Sequence, residues 1–195
     1  MITSTTILSP ASARVRGFTL VEVMVAATLG GFVLLGVTVT NLQLMRSSVR
    51  ITQYAEMDAQ VRRALEQFGH DAKIATDCTL NGASDLTLTV PDSSGATTQV
   101  TYAWTSATQS FFRVPGVSSA ATAGRIFIVQ GVPTLAGGGA GLTFTRYDRD
   151  GAAAATNLAT KRIQVTLTLK RTATTAVATT QPVSATFILR NKPTS

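Results

Sequence analysis

The stretch FTLVEVMVAATLGGFVLLGVTVTNLQLM, residues 18–45, contains one charged side chain, Glu22. Its uncharged core runs from Val23 to Thr40. At a rise of about 1.5 Å per residue, a helix over the whole stretch is roughly 42 Å long, which is enough to cross a bilayer. This apolar segment, Phe18–Met45, is therefore predicted to be a transmembrane helix.

Basic residues flank the apolar segment on both sides. Arg14 and Arg16 precede it in a polar stretch without acids, and they favour a cytoplasmic N-terminus. Arg46 and Arg50 follow it and oppose that bias. The whole chain is basic, with 17 Lys and Arg against 10 Asp and Glu, and 45% of its residues are hydrophobic.

The position of Glu22 separates three interpretations of this region. A secretory signal peptide places no acid at the start of its apolar part, is shorter, and is followed by a small-residue cleavage site. A plain signal anchor explains the length but gives Glu22 no purpose. A carboxylate in a membrane segment costs on the order of 2.5–3.5 kcal/mol at the centre and less near an end, so such a group usually has a partner.

The third interpretation supplies that partner. Arg16-Gly17-Phe18-Thr19-Leu20-Val21-Glu22-Val23-Met24 closely resembles the N-terminal motif of type IV prepilins and type II secretion pseudopilins. The resemblance implies that a membrane peptidase cuts between Gly17 and Phe18 and N-methylates Phe18. It also implies that Glu22 meets the N-terminal amine of a neighbouring subunit. An amine and a carboxylate buried together are tolerable, whereas either one alone is costly.

The same resemblance implies the partners and the location of the chain. The expected partners are other pilin or pseudopilin subunits, the prepilin peptidase, the inner-membrane assembly machinery and membrane lipid, with no cofactor. The expected topology is a single-pass inner membrane protein with a cytoplasmic N-terminus and a periplasmic head, which later joins a pilus or a pseudopilus.

Beyond Met45 the apolar residues mark one face of a helix. After Tyr54 they recur every three or four positions, which predicts an amphipathic helix that ends near Thr76 and needs a partner sheet. These residues are Met57, Val61, Leu65, Phe68, Ala72 and Ala75.

The rest of the chain predicts that sheet. The expected strands are Asp85–Val90, Gln99–Thr105, Gln109–Val114, Arg125–Gln130, Leu142–Asp148, Arg162–Arg171 and Ala185–Arg190. Ile163, Val165, Leu167 and Leu169 alternate with polar residues, as in a strand with one buried face.

The predicted fold is α+β and pilin-like, with a long N-terminal helix packed on an antiparallel sheet. Its parts are a leader (1–17), a transmembrane and assembly helix (18–45), its amphipathic continuation (46–77) and a β-rich globular head (78–195). Two short segments are similar to minor pilins of the W type and to J-type pseudopilins. They are Arg62–Phe68 with Asp71, and Phe187-Ile188-Leu189-Arg190-Asn191 at the C-terminal end.

Candidate chemistry outside the motif is sparse. Asp148-Arg149-Asp150-Gly151 has the spacing of some calcium loops, but the acid expected later in such a loop is missing, which favours a polar turn. Cys78 is the one cysteine and His70 the one histidine, so several hydrolase designs are excluded. The chain is predicted not to be an enzyme.

The leading hypothesis is a structural filament subunit, a minor pilin or pseudopilin. One alternative is a minor subunit whose basic head binds DNA or a secreted substrate, although no interleaving of basic and aromatic residues marks such a surface. The other is a plain membrane-anchored periplasmic protein. The basic residues of the sheet region are Arg113, Arg125, Arg146, Lys161, Arg162, Lys170, Arg171 and Arg190.

Overall fold

The computed structural model describes residues 17–173 and 176–193. Within these ranges one helix, α1 (Leu20–Ile74), precedes eight strands. The chain divides into two compact units, Met1–Met45 and Arg46–Ser195, and we refer to the second as the C-terminal unit. Residues 1–16 of the predicted leader, with Arg14 and Arg16, lie outside the described residues.

The strands form two antiparallel sheets. The first contains five strands in chain order and the second contains three. The α+β fold predicted from the sequence is confirmed, with the difference that the strands divide between two sheets. The first sheet consists of β1 (Asp77–Gly82), β2 (Asp85–Pro91), β3 (Thr97–Thr105), β4 (Ser110–Pro115) and β5 (Ile126–Gln130), and the second of β6 (Leu142–Tyr147), β7 (Arg162–Ala173) and β8 (Ala176–Ile188).

The helical part of the C-terminal unit buries one face. Met57, Val61, Phe68 and Ala72 belong to the predicted apolar face and are all buried. Leu65 is only partly buried. The neighbouring Ala64 is fully buried, so the buried face is rotated slightly from the predicted one.

An aromatic cluster joins this helix to both sheets. The Phe68 ring lies 5.0 Å from the Tyr102 ring of β3 in an edge-to-face arrangement. It also lies 5.8 Å from Phe144 of β6 and 5.2 Å from Phe187 of β8. Edge-to-face pairs at such distances stabilise beyond the area they bury, so Phe68 is a central contact of the core.

Two strands differ from the sequence prediction. β1 is absent from it because Asn81-Gly82 has the composition of a turn and the alternation in Asp77-Cys78-Thr79-Leu80 covers only four residues. β8 begins at Ala176, well before the predicted start at Ala185, because Pro182 and several threonines interrupt its apolar pattern. β8 is an edge strand of its sheet, where a proline is tolerated because one side of the strand needs no amide donors.

β8 runs alongside α1 in the same direction. The Thr179 hydroxyl donates to the Gln53 side-chain oxygen at 3.3 Å. Further along, a Cβ built on Gly69 would lie 2.6 Å from the Phe187 ring, so glycine permits this close approach. The two contacts are sixteen residues apart in α1 and eight residues apart in β8. Each of these separations corresponds to a length of about 25 Å. The start of β8 therefore lies at the level of the first helical turns of the C-terminal unit.

A buried carboxylate fixes the end of α1 to the first sheet. Asp71 accepts a hydrogen bond from the Tyr102 hydroxyl at 2.7 Å and one from Arg113 Nε at 3.0 Å. Burial and the adjacent Asp71 charge raise the pKa of Tyr102 well above its ordinary value. Burial alone would lower the pKa of Arg113, but the Asp71 carboxylate outweighs it and raises that pKa. Both partners of Asp71 therefore keep their protons.

The C-terminal residues hold the helix end. α1 ends at Ile74, two residues before the expected end, and the Asn191 side-chain amide donates to the Ile74 carbonyl at 3.3 Å. Leu189 is fully buried. The buried Lys192 ammonium pairs with the Asp77 carboxylate at the start of β1. The leucine and asparagine of the C-terminal segment thus have structural roles, as a core residue and a helix C-cap.

Candidate functional site

Helix α1 begins with an N-cap formed by a threonine side chain. Gly17, Phe18 and Thr19 have no regular structure, and α1 begins at Leu20. The Thr19 hydroxyl accepts a hydrogen bond from the Glu22 amide at 3.2 Å. Threonine at the N-cap followed three residues later by glutamate is the capping-box pattern. The sequence reasoning missed this role of Thr19, although the Thr-x-x-Glu spacing contains the signal.

Glu22 combines three properties at this site. It lies in the first turn of α1, where the positive end of the helix dipole stabilises a carboxylate. It is exposed. Across residues 17–173 and 176–193, no lysine or arginine forms an ion pair with it, whereas Arg62, Arg113 and Lys192 all pair with other acids. Its carboxylate is thus positioned to receive a cation from outside this part of the chain.

The predicted cleavage step lies in an accessible stretch. Phe18 is 82% exposed. A Cβ added to Gly17 would meet nothing within 4 Å. Because both residues precede the helix, a protease could bind their backbone in an extended form without first unwinding α1. None of residues 17–173 and 176–193 blocks the Gly17–Phe18 peptide bond, and cleavage there stays a prediction.

The apolar segment exposes nearly all of its apolar surface. Every described residue from Gly17 to Arg50 is exposed, and the Phe32 side chain is 74% exposed. By length and composition, α1 can cross a membrane. Apolar surface on this scale is unfavourable in water, so the segment requires a lipid or protein environment.

The hydroxyl groups within the apolar segment are satisfied by the helix itself. Thr28 donates to the Val25 carbonyl at 2.9 Å, and Thr38 donates to the Leu34 carbonyl at 2.8 Å. Thr40 donates to the Gly36 carbonyl at 2.9 Å. These bonds suit a segment surrounded by apolar groups, because no water is needed there.

The helix is continuous through its glycines. Gly30, Gly31 and Gly36 lie inside α1, and a Cβ at any of them would meet nothing within 4 Å. They form small indentations on the helix surface. Small residues of this kind let a second helix approach closely in a membrane.

The weak calcium candidates have a local structural role. Asp148 Oδ1 accepts hydrogen bonds from the amides of Asp150, Gly151 and Ala152, at 2.8–2.9 Å. Gly151 takes the left-handed conformation of the turn, with φ of 92°. The described residues contain no group of three or more His, Cys, Asp or Glu side chains that could hold a metal ion. The arrangement is that of a polar turn closed by an aspartate.

Cys78 lies in the core on β1 and is 1% exposed. Burial is the main influence on its thiol and raises the pKa above the ordinary value. A protonated, buried thiol behaves as a small apolar side chain, because the thiolate is the reactive form.

Most of the basic side chains of the sheet region are held by bonds within the chain. Arg113 pairs with Asp71, and Arg125 donates to the Ala121 carbonyl while it covers the Phe112 ring. Three others are held in the same way, since Arg146 donates to Asn157, Lys161 to the Lys192 carbonyl and Arg162 to the Arg149 carbonyl. These contacts do not favour a continuous basic surface for DNA.

Comparison with known proteins is consistent with the geometry of the N-terminal segment. The family model of the prokaryotic N-terminal methylation motif matches residues 12–38. The match spans the Gly17–Phe18 step, Glu22 and most of the uncharged core. No curated protein matches the chain.

The matched motif supports a type IV pilin-like protein. Such a motif implies, in general terms, assembly with other pilin subunits and processing by a prepilin peptidase. The motif and the apolar N-terminal helix also fit a membrane-anchored protein. The family that carries this motif is structural rather than enzymatic.

Proposed function

We propose that this chain is a non-enzymatic structural subunit of a type IV pilus or a type II secretion pseudopilus. The observation that carries the proposal is the exposed apolar segment that begins with a capped helix and an accessible carboxylate at Glu22. A filament built from many copies would cover this apolar surface by helix–helix packing, and a bilayer would cover it before assembly.

Processing supplies the missing cation. Cleavage between Gly17 and Phe18 leaves a positively charged amine on Phe18, and N-methylation of that amine preserves its charge. In an apolar bundle this amine and the Glu22 carboxylate of a neighbouring subunit would neutralise each other. The Thr19 cap supports the pairing because it fixes the position of the first helical turn.

The proposed topology places the N-terminus in the cytoplasm and the C-terminal unit in the periplasm. The proposed subtype is a minor pilin of the W type or a J-type pseudopilin. Its support is the likeness of Arg62–Phe68 and of the C-terminal segment to those groups. Asp71 and Asn191, which belong to these two segments, both anchor the end of α1.

A cleavage assay tests the first step of this proposal. The full chain would be expressed in membranes with and without a prepilin peptidase, and its mass followed by gel shift. Wild-type chain should lose residues 1–17 only when the peptidase is present. Gly17→Val should block the loss, because valine adds a branched side chain at a position where glycine lets the backbone approach the protease cleft closely.

Gly30→Val is the matched control, since it makes the same change at an exposed helical glycine away from the cleavage step. It should be cleaved like the wild type. A chain that inserts into membranes but is never shortened would contradict the proposal and would favour a plain membrane anchor.

A further inference from the structure

Basic residues follow the apolar segment in the sequence, and two more occur in one strand of the C-terminal unit. Arg46 follows Met45 directly, Arg50 comes four residues later, and Lys170 and Arg171 lie in β7. The sequence places no acid in residues 46–55 and none after Asp150. Among the described residues, none of these four side chains forms an ion pair with an acid.

The fold brings these residues to the same end of the C-terminal unit. Lys170 pairs with Thr180 and Arg171 with Thr179 in the register of β7 and β8. Thr179 in turn contacts Gln53, one turn of helix beyond Arg50. Arg171 Nε is buried and has no hydrogen-bond partner among the described residues. The positive charges of the helix and of the strand pair thus lie at a similar level along α1.

A groove of about 410 Å³ opens at this level, lined by Arg50, Tyr54, Ala178, Thr179 and Thr180. Its polar groups include a guanidinium, a phenol and the Thr180 hydroxyl, which can donate hydrogen bonds, whereas the Thr179 hydroxyl already donates to Gln53. An arginine can bind two oxygens of one phosphate at once. The lining suits a phosphate group, because it offers several donors and contains no acid to repel the anion.

We propose that this groove binds the headgroup phosphate of an anionic phospholipid in the leaflet where the apolar segment leaves the membrane. This inference rests on the proposed function, since it requires that Phe18–Met45 span the bilayer. Along the helix Arg50 then follows Met45 by about 7.5 Å, which is within headgroup reach. Tyr54 is half-exposed, and tyrosines are enriched at membrane interfaces. Binding would hold this end of the C-terminal unit at the membrane surface before assembly.

Lipid titration of the full chain in neutral detergent tests this inference. Native mass spectrometry would count the lipids retained when phosphatidylglycerol or phosphatidylcholine is added. Wild-type chain should retain phosphatidylglycerol preferentially. Arg50→Gln should lower its apparent affinity by about fivefold, the effect expected for one juxtamembrane base.

Arg63→Gln is the matched control, because it removes the same charge from an exposed position on α1, roughly 20 Å further along the helix. It should bind phosphatidylglycerol like the wild type, and thermal unfolding should confirm that both variants fold. Equal losses of affinity for phosphatidylglycerol in the two variants would show that only the net charge of the chain matters. That result would contradict the proposed site. Equal retention of the two lipids, or complete displacement by inorganic phosphate, would overturn a lipid headgroup as the ligand.

The chain for these titrations is purified from membranes that contain the prepilin peptidase, and its N-terminus is measured in the same samples. A methylated Phe18 together with failed lipid selectivity would contradict this inference alone. An intact leader would instead contradict the proposed function.

Discussion

The Thr19 hydroxyl accepts a hydrogen bond from the Glu22 amide at 3.2 Å, and this bond ties the cap of α1 to the acidic residue of the motif. Thr19 belongs to the segment that resembles a processing signal. In the structure it also sets where the helix starts, and therefore where the Glu22 carboxylate lies relative to the Gly17–Phe18 step.

Removing the cap should loosen the first helical turn. Thr19→Ala should cost about 1 kcal/mol of local helix stability, because an amide of the first turn loses its acceptor. Hydrogen exchange of the Glu22 amide in detergent micelles should become about fivefold faster. Thr19→Ser should exchange like the wild type, since the hydroxyl is kept. Equal protection in the alanine variant would show that the cap does not stabilise this turn.

Removing the charge of Glu22 should affect assembly and not insertion. Glu22→Gln keeps the size of the side chain but cannot compensate an amine in an apolar bundle, so incorporation into filaments should fall at least about tenfold. Sheared filaments would be quantified by immunoblot, and carbonate extraction would show that the variant remains in the membrane. Normal incorporation of the variant would count against the proposed pairing.

Asp71 should be the most sensitive acid of the C-terminal unit. Its side chain is 11% exposed and that of Arg113 is 23% exposed. Asp71→Asn should therefore destabilise the fold by about 2–3 kcal/mol, because it leaves a largely buried guanidinium without its counter-charge. Urea unfolding monitored by Trp104 fluorescence gives the free energy of unfolding.

The control for this measurement is Asp58→Asn. Asp58 also pairs with an arginine, Arg62, but the two side chains are 55% and 71% exposed. Its loss should change the free energy of unfolding by less than about 0.5 kcal/mol. Similar effects of the two substitutions would refute the importance of the buried pair.

The pair between Asp77 and Lys192 should make the fold sensitive to acid. Partial burial pushes the pKa of Asp77 upward, but hydrogen bonds from Lys192 and the Cys78 amide outweigh it and lower the pKa below its ordinary value of 3.8. The folded state therefore binds this proton less readily than the unfolded chain. The stabilisation from this pair is fully present above about pH 3.8, the ordinary pKa of the carboxyl, and is lost as the pH falls through the lowered pKa of Asp77.

Asp77→Asn should reduce the dependence of unfolding free energy on pH below about 4, measured by urea titration at several pH values. Asp58→Asn should keep the wild-type dependence. Some dependence should remain in Asp77→Asn, because hydrogen bonds from Ser94 lower the pKa of Asp92 as well. An unchanged acid profile in Asp77→Asn would mean that the pair with Lys192 contributes no stability.

The helix and the regular strands could be predicted because burial repeats with a fixed period. Met57, Val61, Phe68 and Ala72 mark a helical face, and Ile163 to Leu169 mark a strand. β1 and the first half of β8 could not be predicted in this way. Their pairing partners determine them, and the sequence gives little local signal in Asn81-Gly82 or around Pro182.

The parts of the candidate site that consist of residues close together in the sequence could be predicted. Gly17, Phe18 and Glu22 follow from a short motif, and the cap formed by Thr19 was equally local. The anchoring role of Asp71 was not local, because its partners Tyr102 and Arg113 lie 31 and 42 positions further along the chain. The basic groove at Arg50 likewise requires the register between β7 and β8.

Intact mass and peptide mass spectrometry of the mature chain, purified from membranes that contain the prepilin peptidase, tests the central claim most directly. We expect an N-terminus at Phe18 with one added methyl group on its amine. An intact leader in those membranes, or a mature terminus at any residue other than Phe18, would contradict it.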